Sequence, residues 1–188
     1  MCDLIMKYNP DQHHRRSIRL KDYDYTQPGF YFITICTWQR QTLLGEIIDS
    51  QMQLSDSGKF VYLHWQNLLH YHPNLKLDEF VIMPNHIHGI LILTADTTSQ
   101  KHHGLPEIIR GFKTFSARRI NKNRRQRGVP VWQRGYYEHI IRNEQSLTAI
   151  REYIVNNPIA WEEDELHPSG SQEWDGTIKK LALHINRR

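Results

Sequence analysis

Three apolar spacings organise the chain. From Gly29 to Trp38 the run Phe30-Tyr31-Phe32-Ile33-Thr34-Ile35-Cys36 is dense in aromatic and β-branched residues and predicts a first core strand. After it, Gln41 to Ile48 reads as a short second strand or the extension of a hairpin. Ser55-Asp56-Ser57-Gly58 supplies cap residues, and Phe60, Val61, Leu63, Trp65, Leu68 and Leu69 then recur at helical intervals until Pro73. Phe80 to Leu93 is a second apolar, β-branched run and predicts a central strand, with Pro84-Asn85 placed for a bulge or bend. Strand, helix and strand pair make the first half of a ferredoxin-like unit, so the predicted fold class is α+β.

The second half follows a polar loop, Thr94 to Gly104. A helix opens near Pro106, a residue suited to the first helical position, with Ile108, Ile109, Phe112, Phe115 and Ile120 as its apolar set. Val131 to Ile141 reads as a last strand or hairpin arm. A further helix starts near Asn143 and stops before Pro158, carrying Leu147, Ile150 and Ile154 on one stripe.

Polar residues set into this frame carry the candidate chemistry. Side chains on a strand alternate faces, so His86 and His88 point the same way while Ile87 points the other. Two neutral imidazoles suit one divalent metal but fall short of a full coordination shell. The bland alternative is a polar pair at a sheet rim. On the last helix Tyr153 and Asn157 are four apart and therefore neighbours on the flank of the apolar stripe. With His86, His88 and Asn157 on the ion and Tyr153 as nucleophile, the set suits metal-assisted phosphoryl transfer. A tyrosine near a helix end is also an ordinary packing residue.

Composition sharpens the choice of partner. The 188 residues suffice for one domain, and 39% hydrophobic with 11% aromatic residues argue for a folded chain. No apolar run reaches transmembrane length and the first residues lack the core of a signal peptide, so a cytoplasmic protein without membrane contact is expected. Cys2 and Cys36 read as free thiols. The net charge of +4 is modest but gathered: eight Lys and Arg residues fall between Arg110 and Arg127 with no Asp or Glu. That concentration favours a polyanion over a merely solvated face. Trp132, Tyr136 and Tyr137 beside Arg134 suit base stacking or plain packing. His13-His14-Arg15-Arg16 reads as a solvated arm and His102-His103 as exposed loop residues. The expected organisation is an N-terminal basic arm over 1–22, a domain over 23–161 and a C-terminal appendage over 162–188, which begins acidic and has an undecided end from Ile178 to Arg188.

Met83-Pro84-Asn85-His86-Ile87-His88-Gly89 resembles the signature of the HUH single-tyrosine transposases, specifically the REP-associated tyrosine transposases. The resemblance continues in Phe112-Lys113, in Val131-Trp132-Gln133-Arg134-Gly135-Tyr136-Tyr137 and in Tyr153-Ile154-Val155-Asn156-Asn157-Pro158. It implies a ferredoxin-like α/β sandwich with a central antiparallel sheet, the HUH nuclease fold. It also implies catalysis by Tyr153, His86 and His88, with Mg²⁺ or Mn²⁺ on His86, His88 and Asn157. The implied product is a 5′-phosphotyrosine with a free 3′-hydroxyl, made on single-stranded DNA with palindromic hairpins. Asn157 stands where other relatives carry Gln. The implied state is a monomer, with dimers among the insertion-sequence relatives. Arg110, Lys113, Arg118, Arg119, Lys122, Arg124, Arg125 and Arg134 are the expected DNA contacts. Two other readings stay open: a hairpin-binding protein that no longer cuts, and a phosphodiesterase that uses water.

Overall fold

The computed structural model describes residues 20, 22–95 and 103–169. The basic arm's His13-His14-Arg15-Arg16, His102 and the segment Ile178 to Arg188 lie outside the described residues. The apolar runs form an antiparallel sheet from β1 (Gly29–Cys36), β4 (Leu75–Met83), β5 (His86–Leu93) and β6 (Tyr137–Ile141), in the order β4-β5-β1-β6. Between β1 and β4 lie a small hairpin, β2 (Gly45–Ile48) with β3 (Gln51–Leu54), and the helices α1 (Asp56–Gln66) and α2 (Leu68–Tyr71). Helix α3 (Leu105–Asn123) connects β5 to β6, and α4 (Glu144–Asn156) follows. Without the small hairpin, α2 and α4, the order is β-α-β-β-α-β, the ferredoxin-like arrangement expected from sequence.

Strand alternation sends two sets of side chains into two cores. Ile33 and Ile35 of β1 and Ile87 and Leu91 of β5 pack with Trp65 of α1 and Phe112 and Ile120 of α3. On the opposite face Phe32 and Ile90 pack with Leu147, Ile150 and Ile154 of α4. His86 and His88 share the parity of Ile90, so they belong to the α4 face. Gly89 has the other parity, and a Cβ there would lie 2.5 Å from Cζ2 of Trp65.

The Phe80–Leu93 run is two strands, not one. Met83 pairs with His86 across the two-residue turn Pro84-Asn85. The turn's carbonyls are captured from outside, Pro84 by the Leu44 N–H at 2.9 Å and Asn85 by the Thr37 N–H at 2.9 Å. Upstream, Asp49 and Ser50 take left-handed φ of 49° and 61°, which closes β2 on a β3 that sequence reading did not separate. Of Val131 to Ile141, only the last five residues form a strand, while Trp132 makes a lone bridge to Thr37. Its indole N–H donates to Ser116 Oγ at 3.0 Å and the residue is buried, so Trp132 is a packing residue.

Side-chain caps start α1 and α4: Ser55 accepts from the Gly58 N–H and Asn143 from the Ser146 N–H. Arg151 then fastens α4 to β4 through two hydrogen bonds to Asp78, at 2.9 and 2.7 Å. That guanidinium holds the Asp78 carboxyl below its ordinary value. The pair's contribution is therefore present above the unfolded carboxylate range and lost as pH falls through the folded one. Because Arg151 is partly exposed, Asp78→Asn should cost only about 1 kcal/mol at pH 7. In urea titrations that deficit should close below about pH 4; a deficit independent of pH would show that the charge is not its source.

Candidate active site

The site begins with how the sheet holds two imidazoles. Thr34 stands opposite His88 in the β1–β5 register, and its Oγ1 lies 2.7 Å from His88 Nδ1. Next to the turn, Asn85 places Oδ1 2.8 Å from His86 Nδ1 and donates through Nδ2 to the Leu166 carbonyl at 2.7 Å. Since the Asn85 oxygen can only accept, the His86 proton sits on Nδ1. The Nε2 lone pair of His86 is thereby left for the site, and that atom is buried without a hydrogen-bond partner. Both rings are fully buried. Burial, opposed by Asp164 and Asn157, pulls His86 down to about 4. His88 is likewise held well below its usual range by burial, then by His86. Both imidazoles are neutral at pH 7, the form that binds metal.

Helix α4 and the turn after it complete the group. Tyr153 sets its hydroxyl 3.3 Å from His88 Nε2, and its ring packs edge-on to Phe32 with centroids 6.2 Å apart. Burial first, then the charges of Asp164 and Glu165, push the phenol up, so it is a neutral hydroxyl at pH 7. One turn on, Asn157 is buried and donates to Asp164 Oδ2 at 3.1 Å, while its own Oδ1 has no partner. Sequence reasoning missed Asp164. It follows the short 3-10 turn Trp161–Glu163, is 9% exposed, and accepts from the Leu166 N–H at 2.6 Å. Nitrogen and oxygen donors of His86, His88 and Asp164 lie within 4.8 Å of one another, the one such group of three among the described residues.

Two imidazole nitrogens, a carboxylate and an unpartnered amide oxygen fit a divalent cation. A buried acceptor left without a proton costs stability unless something satisfies it, and here two such atoms converge. Cys36 pairs with His86 in register, yet burial pushes its thiol up to about 12, so it stays a protonated free thiol.

The expected DNA contacts gather elsewhere. Arg110, Lys113, Arg118, Arg119 and Lys122 ride on α3, with Arg124 and Arg125 just past its end, on the sheet face opposite Tyr153. Arg134 is exposed on the loop before β6. Lys113 differs from the others in what it touches. Its ammonium donates to the carbonyls of Gln133, Arg134 and Gly135 at 2.6, 3.2 and 2.9 Å, tying that loop to α3. Burial lowers it to about 8. Arg119 lies over the Phe60 ring at 4.8 Å.

A ferredoxin-like sheet carries a tyrosine helix laid over paired strand histidines, and sequence comparison places the chain among the transposases. Residues 31–157 match the family described as transposase, IS200-like, and the chain belongs to that family. A Haemophilus influenzae protein of uncharacterised function is 48% identical over 180 residues, covering 87% of this chain and 99% of its own. Another from the same organism, provisionally named a REP-associated tyrosine transposase, is 29% identical over 148 residues, covering 72% of this chain and 73% of its own. Among solved structures, a REP-associated tyrosine transposase bound to a REP hairpin shares the fold at 18% identity with a TM-score of 0.52. That alignment covers 85% of this chain and 93% of the other. The chain thus has the fold and family of a transposase-type enzyme. Among the described residues no helix is long and apolar enough to cross a membrane.

Proposed function

We propose that the protein is a single-tyrosine, metal-dependent DNA strand transferase acting on single-stranded DNA that carries palindromic hairpins. The observation that carries this reading is the Tyr153 hydroxyl, 3.3 Å from His88 Nε2, beside the buried group of His86, His88 and Asp164. His86, His88 and Asp164 would hold the metal, Mg²⁺ or Mn²⁺, with the Asn157 oxygen as a further donor. Bound there, the cation supplies positive charge beside the scissile phosphate. Tyr153 oxygen bonds to phosphorus as the bond to the 3′-oxygen breaks, and the phenolic proton passes through solvent to the leaving oxygen. The products are a 5′-phosphotyrosine and a free 3′-hydroxyl, so bond energy is kept for rejoining. A hairpin as substrate is supported by the fold shared with the transposase solved on a REP hairpin.

The test is to incubate the protein with Mn²⁺ or Mg²⁺ and labelled hairpin oligonucleotides from repeats flanking its own gene, then denature. A covalent protein–DNA band is expected, and it should fail to form when EDTA is present from the start. Cleaved DNA without an adduct would instead support a water-using phosphodiesterase, and binding with neither would support a binder that no longer cuts.

Two further expectations divide the molecule into grip and chemistry. Asp164→Asn should weaken Mn²⁺ binding at least about tenfold in calorimetric titration, since an amide replaces a carboxylate donor. Unchanged affinity would return the third position to Asn157. Arg118→Ala with Arg119→Ala should flatten the salt dependence of DNA binding by about one unit of slope per lost phosphate contact. An unaltered slope would mark both as solvated or packing residues, as the position of Arg119 over Phe60 allows.

A further inference from the structure

A second pair of histidines meets on the helix layer opposite the transferase site. His72 closes α2, with its N–H donating to the Leu68 carbonyl at 3.0 Å, and is 9% exposed. His103 precedes α3 and is exposed, so the pair opens to solvent through one member. Asn74 links the two segments, donating to the His103 carbonyl at 3.5 Å. The two Nδ1 atoms face each other at 3.2 Å with ring planes at 75°. Two nitrogens on one tetrahedral Zn²⁺ stand roughly 3.3 Å apart, given bonds of about 2.0–2.1 Å. Beside the pair lies a cavity of about 600 Å³, so the site has room for solvent.

We infer that His72 and His103 form a second metal site, for a transition ion of the Zn²⁺ class, with the two imidazoles as its protein donors and water completing the coordination. Burial and the neighbouring His103 hold His72 below its ordinary value, leaving the neutral imidazole that a metal requires. Unlike the transferase site, the pair has no carboxylate among its donors, which favours this class of ion over Mg²⁺. Its consequence is structural: the ion joins the end of α2 to the start of the basic helix α3, so it should stiffen the element that carries the cationic face. Nothing in this inference depends on the transferase chemistry, because the two sites lie on opposite faces of the sheet.

The experiment uses untagged protein with His86→Ala and His88→Ala, which removes the transferase-site imidazoles. Titration with Zn²⁺ alone should find one equivalent per chain, and Co²⁺ should compete for that equivalent. Adding His103→Ala, an exposed position, should abolish both, together with the rise in Tm that Zn²⁺ produces. Failure of the background protein to bind Zn²⁺, or binding untouched by His103→Ala, would leave the pair as a plain N–H···N hydrogen bond and overturn the inference. Should the double variant not fold, the native chain against His103→Ala decides: loss of one equivalent supports the site and unchanged stoichiometry overturns it.

Discussion

Tyr153→Phe should eliminate the covalent adduct and lower cleavage by a factor of about 10³ or more, because it deletes the oxygen proposed to attack. The substitution deletes one atom and keeps the ring. Contacts with Phe32 and His88, at centroid distances of 6.2 and 5.2 Å, are retained, so the α4 face stays packed. The lost hydrogen bond to His88 should cost no more than about 1 kcal/mol of stability. Hairpin affinity should be nearly unchanged, since the cationic helix lies on the other face of the sheet. Denaturing gels, a urea melt and a binding isotherm on the same preparation separate these effects. Cleavage that survives in the variant would assign the nucleophile to water and make Tyr153 a packing residue.

Gly89→Ala should be the most damaging conservative change in the histidine motif, and for a reason unrelated to chemistry. The added methyl would sit 2.5 Å from Cζ2 and 2.7 Å from Cη2 of Trp65, a fully buried ring stacked on Phe80 with centroids 4.3 Å apart. Trp65 is enclosed on all sides, so its ring can move only by displacing its neighbours, and overpacking of this kind costs about 3 kcal/mol. The gain from a less flexible unfolded chain offsets only about 0.5–1 kcal/mol of that. A urea midpoint shifted well down is expected, with partial recovery in the double variant carrying Trp65→Leu. If the double variant is no better than Gly89→Ala alone, the clash is not with Trp65.

The sequence showed the parts of the site that obey a period and concealed those that do not. His86 and His88 on one face follow from strand alternation, and Tyr153 beside Asn157 follows from the helical repeat. The hairpin between them and Met83 was hidden because apolar residues run on both sides of Pro84-Asn85, so only two residues announce it. Asp164 was concealed more thoroughly. It sits in the run Glu162-Glu163-Asp164-Glu165, which reads as solvated surface, and only a 3-10 turn carries its carboxylate to Asn157. The one local hint was Leu166, an apolar residue two positions on that proves to be buried. Lys113 is indistinguishable by sequence from its cationic neighbours; three carbonyls of a distant loop single it out.

The notch at Gly89 also works as a gauge of alignment. If β5 slid by two residues, Ile87 or Leu91 would arrive under Trp65, where not even a methyl fits. A slide by one would turn both histidines away from Tyr153 and into the layer of α1 and α3. The indole on one side of the sheet therefore proofreads the placement of the imidazoles on the other, without touching them.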